Sequence, residues 1–189
     1  MSEYPKFISE KRRPAPSPKK LVESGQALWG TFDKPIENIN LLDCIKPAGK
    51  LIPHKKNKFK LSVWEAFEVN LDEGILLCAV YNVAFFGFSI FIFFDKRTQK
   101  IHKWFNPASV KDSVVAPNLI NSRTHLEKKK SSLVIENKFQ EGKATGKGKS
   151  HNSKGDIEFE FDLTRVSPPS IVNIPFDENV WLEEVIKMV

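Results

Sequence analysis

Four histidines, two cysteines and 23 acidic residues hold most of the chemical capacity of this sequence, and their spacing decides what they could do. His54, His102, His125 and His151 stand far apart, and neither Cys44 nor Cys78 lies at a ligand-pair interval from any of them. A zinc site needs three or four converging ligands, usually seeded by a close pair, so no metal site and no cofactor are expected. Serine nucleophiles announce themselves on a strained G-x-S-x-G turn, and the sequence contains none. Gly148-Lys149-Ser150 has the ending of a phosphate-binding loop, but Lys143 stands where that loop requires its first glycine. The residues that follow alternate like a strand, whereas bound phosphate needs a helix N-terminus there. The carboxylates leave one catalytic route open, an acid/base pair assembled by folding from distant positions. No catalytic residue can be named.

The elements that would position such a pair are mostly strands. Ile157, Phe159, Phe161 and Leu163 alternate with Glu158, Glu160 and Asp162, the period of a strand with one buried face and one wet face. Trp64–Asn70 reads the same way, with Glu65, Phe67 and Val69 on one side and Trp64, Ala66 and Glu68 on the other. Leu133–Phe139, Ala144–Lys149 and Ser170–Ile174 are further strand candidates, and Asn152–Gly155 is a turn. Ala108–Arg123, interrupted by Pro117, gives no clear period. Leu21–Lys60 is punctuated by Gly and Pro and predicts loops with short strands.

Ile75–Phe94 is twenty residues without a charge, long enough to cross a bilayer as a helix. Its composition favours strands: Val80, Val83, Ile90 and Ile92 are β-branched, six phenylalanines accompany them, and leucine occurs only twice. Asn82 and Gly87 mark a break, and Asp95-Lys96-Arg97-Thr98 is a turn leading into Gln99–Phe105. Two buried strands are expected, and no transmembrane span. At the C-terminus, Trp181, Leu182, Val185, Ile186 and Val189 recur at helical spacing behind Asp177 as N-cap, which predicts a short amphipathic helix.

A chain of 189 residues with 41% hydrophobic content can bury about 70% of its unfolded surface without disulfides or metal. The absence of a signal-like leader and of a cysteine framework predicts a cytoplasmic setting. Residues 1–20, rich in Pro and basic side chains, predict a flexible tail, and residues 21–189 the folded domain. The net charge of +6 comes from lysine runs at Lys46–Lys60, Lys128–Lys130 and Lys143–Lys154. Such runs suit anionic lipid or nucleic acid, but solvated loops and edge strands carry them too. Nucleic acid is not the expected partner.

The order of motifs resembles the bacterial DUF2804 family, a domain of unknown function. Leu41-Leu42-Asp43-Cys44 is followed by Trp64-Glu65-Ala66-Phe67, then the long apolar pair ending in Phe93-Phe94-Asp95-Lys96-Arg97-Thr98, where the family has F-x-D-x-x-T-G, and finally Ile171–Phe176. Gln99 departs from the glycine of that pattern. The resemblance implies tandem lipocalin-like barrels, of which this chain would be the N-terminal half. Counting gives eight strand candidates, enough for an antiparallel lipocalin-like (calycin) β-barrel, incomplete without its second half. The expected function is a non-catalytic module that binds a lipid or isoprenoid molecule or scaffolds the second barrel, with self-association through uncovered apolar surface. Phe85, Phe88, Phe91 and Phe93 are the candidates for lining the lumen or core. A hydratase-like enzyme and a basic membrane-surface or nucleic-acid binder are the alternatives.

Overall fold

The computed structural model describes residues 14–44, 61–153, 155–166, 170–174 and 183–187. Three short strands come first: β1 (Val22–Glu23), β2 (Gln26–Ala27) and β3 (Gly30–Phe32). The main body follows as β4 (Val63–Asn70), β5 (Gly74–Asn82), β6 (Gly87–Asp95), β7 (Lys100–Ala108), the short β8 (Ser113–Val114), β9 (Asn121–Lys128), β10 (Ser131–Lys138), β11 (Lys143–Asn152) and β12 (Gly155–Thr164). Last come β13 (Ser170–Ile174) and β14 (Glu183–Lys187). The protein is mainly β, and its sheets are antiparallel. No helix among the described residues is long and apolar enough to cross a membrane.

From β4 to β12 the chain runs as a meander, each strand beside its predecessor, interrupted once between β7 and β8. The interruption divides it into a β4–β7 sheet and a β8–β12 sheet. Pro107 lies in β7 and has no N–H to give a further strand, which suits the edge it occupies. The two sheets share one core: Leu76, Cys78 and Val80 of β5, Phe91 of β6 and Trp104 of β7 meet Leu126, Leu133 and Ile135 from β9 and β10. The apolar faces of both sheets are therefore buried against one another. Among the described residues no strand pairing closes the meander: β4 pairs with β5 alone and β12 with β11 alone.

The apolar run forms two strands, and the break falls at Asn82 and Gly87 as expected. Both faces of β5 and β6 are apolar, so the run lacks the alternation of a half-wet sheet. At the other end of β6, Asp95 Oδ1 accepts the backbone N–H groups of Arg97 and Thr98 at 2.8 and 3.0 Å and shapes the turn. Gln99 closes it at φ +57, the left-handed conformation that explains why a glycine would suit this position.

Strand β11 is not the edge strand that its lysines suggest, since it lies between β10 and β12. Its inner face is made of small residues: Ala144, Gly146, Gly148 and Ser150 are all buried. Gly146 pairs with Phe161 and Gly148 with Phe159. A Cβ at either glycine would come within 2.0 or 2.2 Å of the ring opposite, so each phenylalanine of β12 folds down over a glycine.

The C-terminal helix is a correction. Glu183–Lys187 is strand β14, paired with β13 from Ile174–Glu183 to Ser170–Lys187. Val185 and Ile186 are β-branched and fit a ladder better than a helix. Asp177, Trp181 and Val189 lie outside the described residues. Strand β13 also pairs with β3, which joins the ends of the chain in a three-stranded sheet. The tail expected over residues 1–20 is engaged from Ala15 onward. Ala15 N–H donates to Thr31 O at 2.8 Å, and the Ser17 hydroxyl bonds Asp33 Oδ1 at 3.1 Å.

Candidate functional site

Three surfaces or clusters are chemically distinctive, and the first is built on β4. That strand turns Glu65, Phe67 and Val69 inward, the face predicted from its alternation. Glu65 meets Thr124 of β9 and Asn137 of β10, both buried. Asn137 Nδ2 donates to one carboxylate oxygen at 2.5 Å, and the Thr124 hydroxyl bonds the other. Thr124 Oγ1 also accepts the Ala116 N–H at 2.8 Å. Ser122 pairs with Asn137 in the ladder, and its buried hydroxyl has no hydrogen-bond partner. Burial pushes the Glu65 pKa up, and the hydrogen bonds from Thr124 and Asn137 offset this only in part. Glu65 therefore holds its proton to higher pH than a solvated glutamate does. Neither Thr124 nor Asn137 supplies the second titratable group of an acid/base pair.

This proton has a consequence for stability. A carboxyl with a raised folded pKa keeps its proton at pH values where the unfolded chain has lost it, so stability falls as pH rises from the ordinary value of 4.5 through the folded value. One such group contributes a slope of at most about 1.4 kcal/mol per pH unit. Glu65→Gln should abolish that contribution and stabilise the protein at neutral pH. Urea midpoints of the two proteins measured between acid and neutral pH check this; parallel curves would show that Glu65 has no such role.

A second buried polar chain joins the two sheets at another point in their core. Asn106 Nδ2 of β7 donates to Ser89 Oγ of β6 at 3.3 Å, and Ser150 Oγ of β11 donates to Asn106 Oδ1 at 2.7 Å. All three residues are buried. They satisfy one another and present no free group to a ligand.

The third feature is the outer face of the β4–β7 sheet. Register places Trp64, Tyr81, Phe88 and Pro107 in one row across the four strands, and Ala66, Ala79, Ile90 and Phe105 in the next. Trp64 stacks on Tyr81 at 5.7 Å, Tyr81 on Phe88 at 4.6 Å, and Phe88 leans on Phe105 at 5.0 Å. Phe105 is 54% exposed and Trp64 40%.

The four candidate phenylalanines divide between these environments. Phe91 is fully buried in the core and Phe93 packs against it. Phe88 has the opposite parity and stands on the outer face, while Phe85 sits in the β5–β6 turn at 71% exposure. Phe85 and Phe88 therefore do not line the interior: side chains alternate along a strand, and both faces of this one are apolar. The interior itself is occupied by rings, with Phe159 edge-on to Phe91 at 5.3 Å and Phe161 edge-on to Phe67 at 4.2 Å.

The chain matches no family model, no curated protein and no solved structure.

The remaining sequence candidates are placed as follows. Gly148 lies under the Phe159 ring within β11, so Gly148-Lys149-Ser150 forms no phosphate loop. His102 stacks on Trp104 at 6.2 Å, His151 pairs with Asp156 at 3.1 Å, and His125 is half-buried, while His54 lies outside the described residues. Cys44 and Cys78 are buried and in no disulfide, and burial pushes the Cys78 thiol pKa up, away from reactivity. Among the described residues no group of three His, Cys, Asp or Glu could hold a metal ion. The outer face of β11 is not a bare lysine surface, because Lys147 bonds Glu160 at 2.9 Å and Lys149 stands opposite Glu158.

Proposed function

We propose that this chain is a non-catalytic module that binds an apolar partner on the outer face of the β4–β7 sheet. One observation carries the reading: that face is a ladder of aromatic and aliphatic side chains where a solvated sheet would alternate to polar ones. Contiguous apolar surface of this kind marks an interaction site on most soluble folds. The reading keeps the apolar ligand or second-domain scaffold expected from the sequence and moves its seat from the packed interior to the outside. A calycin relationship through DUF2804 belongs to the same proposal. Its support is the consecutive antiparallel order of eight long strands around one core.

Titration with a fluorescent fatty-acid analogue tests the reading. Saturable binding at micromolar probe is expected, weakened roughly tenfold or more by Phe105→Ser with the circular dichroism unchanged. Absence of saturable binding by the folded protein, or binding indifferent to Phe105→Ser, would remove it.

A further inference from the structure

We infer that the apolar partner is an anionic lipid bilayer, met end-on through the β5–β6 turn and the lysine turn between β9 and β10; this rests on the reading above. The outer face is graded along its strands. Nearest the β5–β6 turn stands the Trp64–Tyr81–Phe88–Pro107 row, then the row containing Phe105, and only the third row brings charges, Glu68 and Lys103. Two rows are about 7 Å apart at the strand rise, so the uncharged zone with its turn matches the roughly 5–10 Å depth at which peripheral proteins sit in a bilayer interface. Trp and Tyr beside that depth are the residues that favour the headgroup level.

The turn itself is set to insert. Phe85 and Phe86 are exposed at its tip, and Phe86 stacks on Phe88 at 5.8 Å. Its backbone is held by Val83 N–H to Phe86 O at 3.0 Å, by Phe85 N–H to Val83 O at 2.8 Å, and by Ala84 N–H to the Asn82 side chain at 3.2 Å. Ala84 takes φ +67 to make it. A tip so fixed presents its rings with little ordering left to do.

Cations gather at the same end. Lys128 Nζ donates to Pro107 O at 3.0 Å, which seats the exposed Lys128–Lys130 turn beside the first aromatic row. Lys111 is exposed in the β7–β8 loop, which Asn82 Nδ2 ties to the base of the aromatic turn by donating to Val110 O at 3.5 Å and to Ser113 O, at the start of β8, at 2.9 Å. The carboxylates described nearby are Asp112, bound by the Ser109 hydroxyl, Glu127, paired with Arg123 at 2.8 Å, and Asp156, paired with His151. Lysines next to inserted aromatics complement anionic headgroups. A protein interface argues less well, since lysine is depleted from the cores of such contacts. One apolar anchor alone holds a membrane weakly, and a basic patch beside it supplies the second signal.

Co-sedimentation of the full chain with vesicles at physiological salt tests the inference. Binding is expected to phosphatidylcholine vesicles containing 30% phosphatidylserine and not to pure phosphatidylcholine. Phe85→Ser/Phe86→Ser and, separately, Lys129→Glu/Lys130→Glu should each weaken it about tenfold or more. Lys128 is left in place because it bonds the β7 backbone. A folded chain that takes up the fatty-acid analogue but ignores anionic vesicles would overturn the bilayer and leave the apolar module standing. Equal binding to both vesicles would overturn the role of the lysines. A dimer in analytical ultracentrifugation that Phe85→Ser/Phe86→Ser dissociates, without vesicle binding, would assign the face to a second copy.

Discussion

Phe91→Ala is expected to destabilise the protein by about 3–5 kcal/mol. Phe91 is fully buried, stands between Cys78 and Trp104 in its own sheet, and meets Phe159 of the facing sheet edge-on. Truncation removes the transfer energy of the ring and leaves a cavity that two hydrogen-bonded layers cannot collapse to fill. Phe85→Ala, in an exposed turn, should change stability by less than about 0.5 kcal/mol. The contrast is read from urea midpoints at constant slope. A loss below about 1 kcal/mol for Phe91→Ala would mean that the interior is slack, and would return the apolar ligand to a lumen.

Asn106→Ala is the second large effect. It deletes the residue that both accepts from Ser150 and donates to Ser89, in a place where all three are buried. A buried hydroxyl left without its partner costs about 1–3 kcal/mol, far more than the net gain from making the bond. Two hydroxyls are affected, so the loss should approach that of a core truncation although few apolar atoms are removed. Adding Ser89→Ala to Asn106→Ala should cost less than the two changes summed, because the hydroxyl being removed is already stranded. Strict additivity in that cycle would show that the three side chains do not act together.

The parts of the fold legible in the sequence are those where one face is apolar and the other charged. Ile157, Phe159 and Phe161 fall on the inner face that alternation assigned them, with Leu163 exposed at the strand end, and Glu65, Phe67 and Val69 share a face as their spacing required. Strand β9 was not legible, and the reason is the cluster it helps build. Its inward positions are Ser122, Thr124 and Leu126, two of them polar and one of those bonded to Glu65, so the strand lacks the pattern that marks a buried face. The Phe85 and Phe88 placements failed for the opposite reason: with both sides of β6 apolar, nothing in composition says which side faces in. At β14, a few apolar residues fit a helical period, and the ladder offered by β13 decided the outcome. Glu65 itself could be grouped with Phe67 and Val69 on one face of its strand, but its partners come from β9 and β10, 59 and 72 residues away.

The rings of Phe159 and Phe161, folded over Gly148 and Gly146, impose an order on how this sequence can change. Each pair shares one fixed volume, and Phe161 is held in place by Phe67 at 4.2 Å. A side chain added at Gly146 while the ring remains has nowhere to go. Shrinking the ring first opens space that a larger residue at 146 can then occupy. Change at these positions is therefore ordered, ring before glycine, and related chains would carry the two positions as exchanged sizes rather than as independent choices.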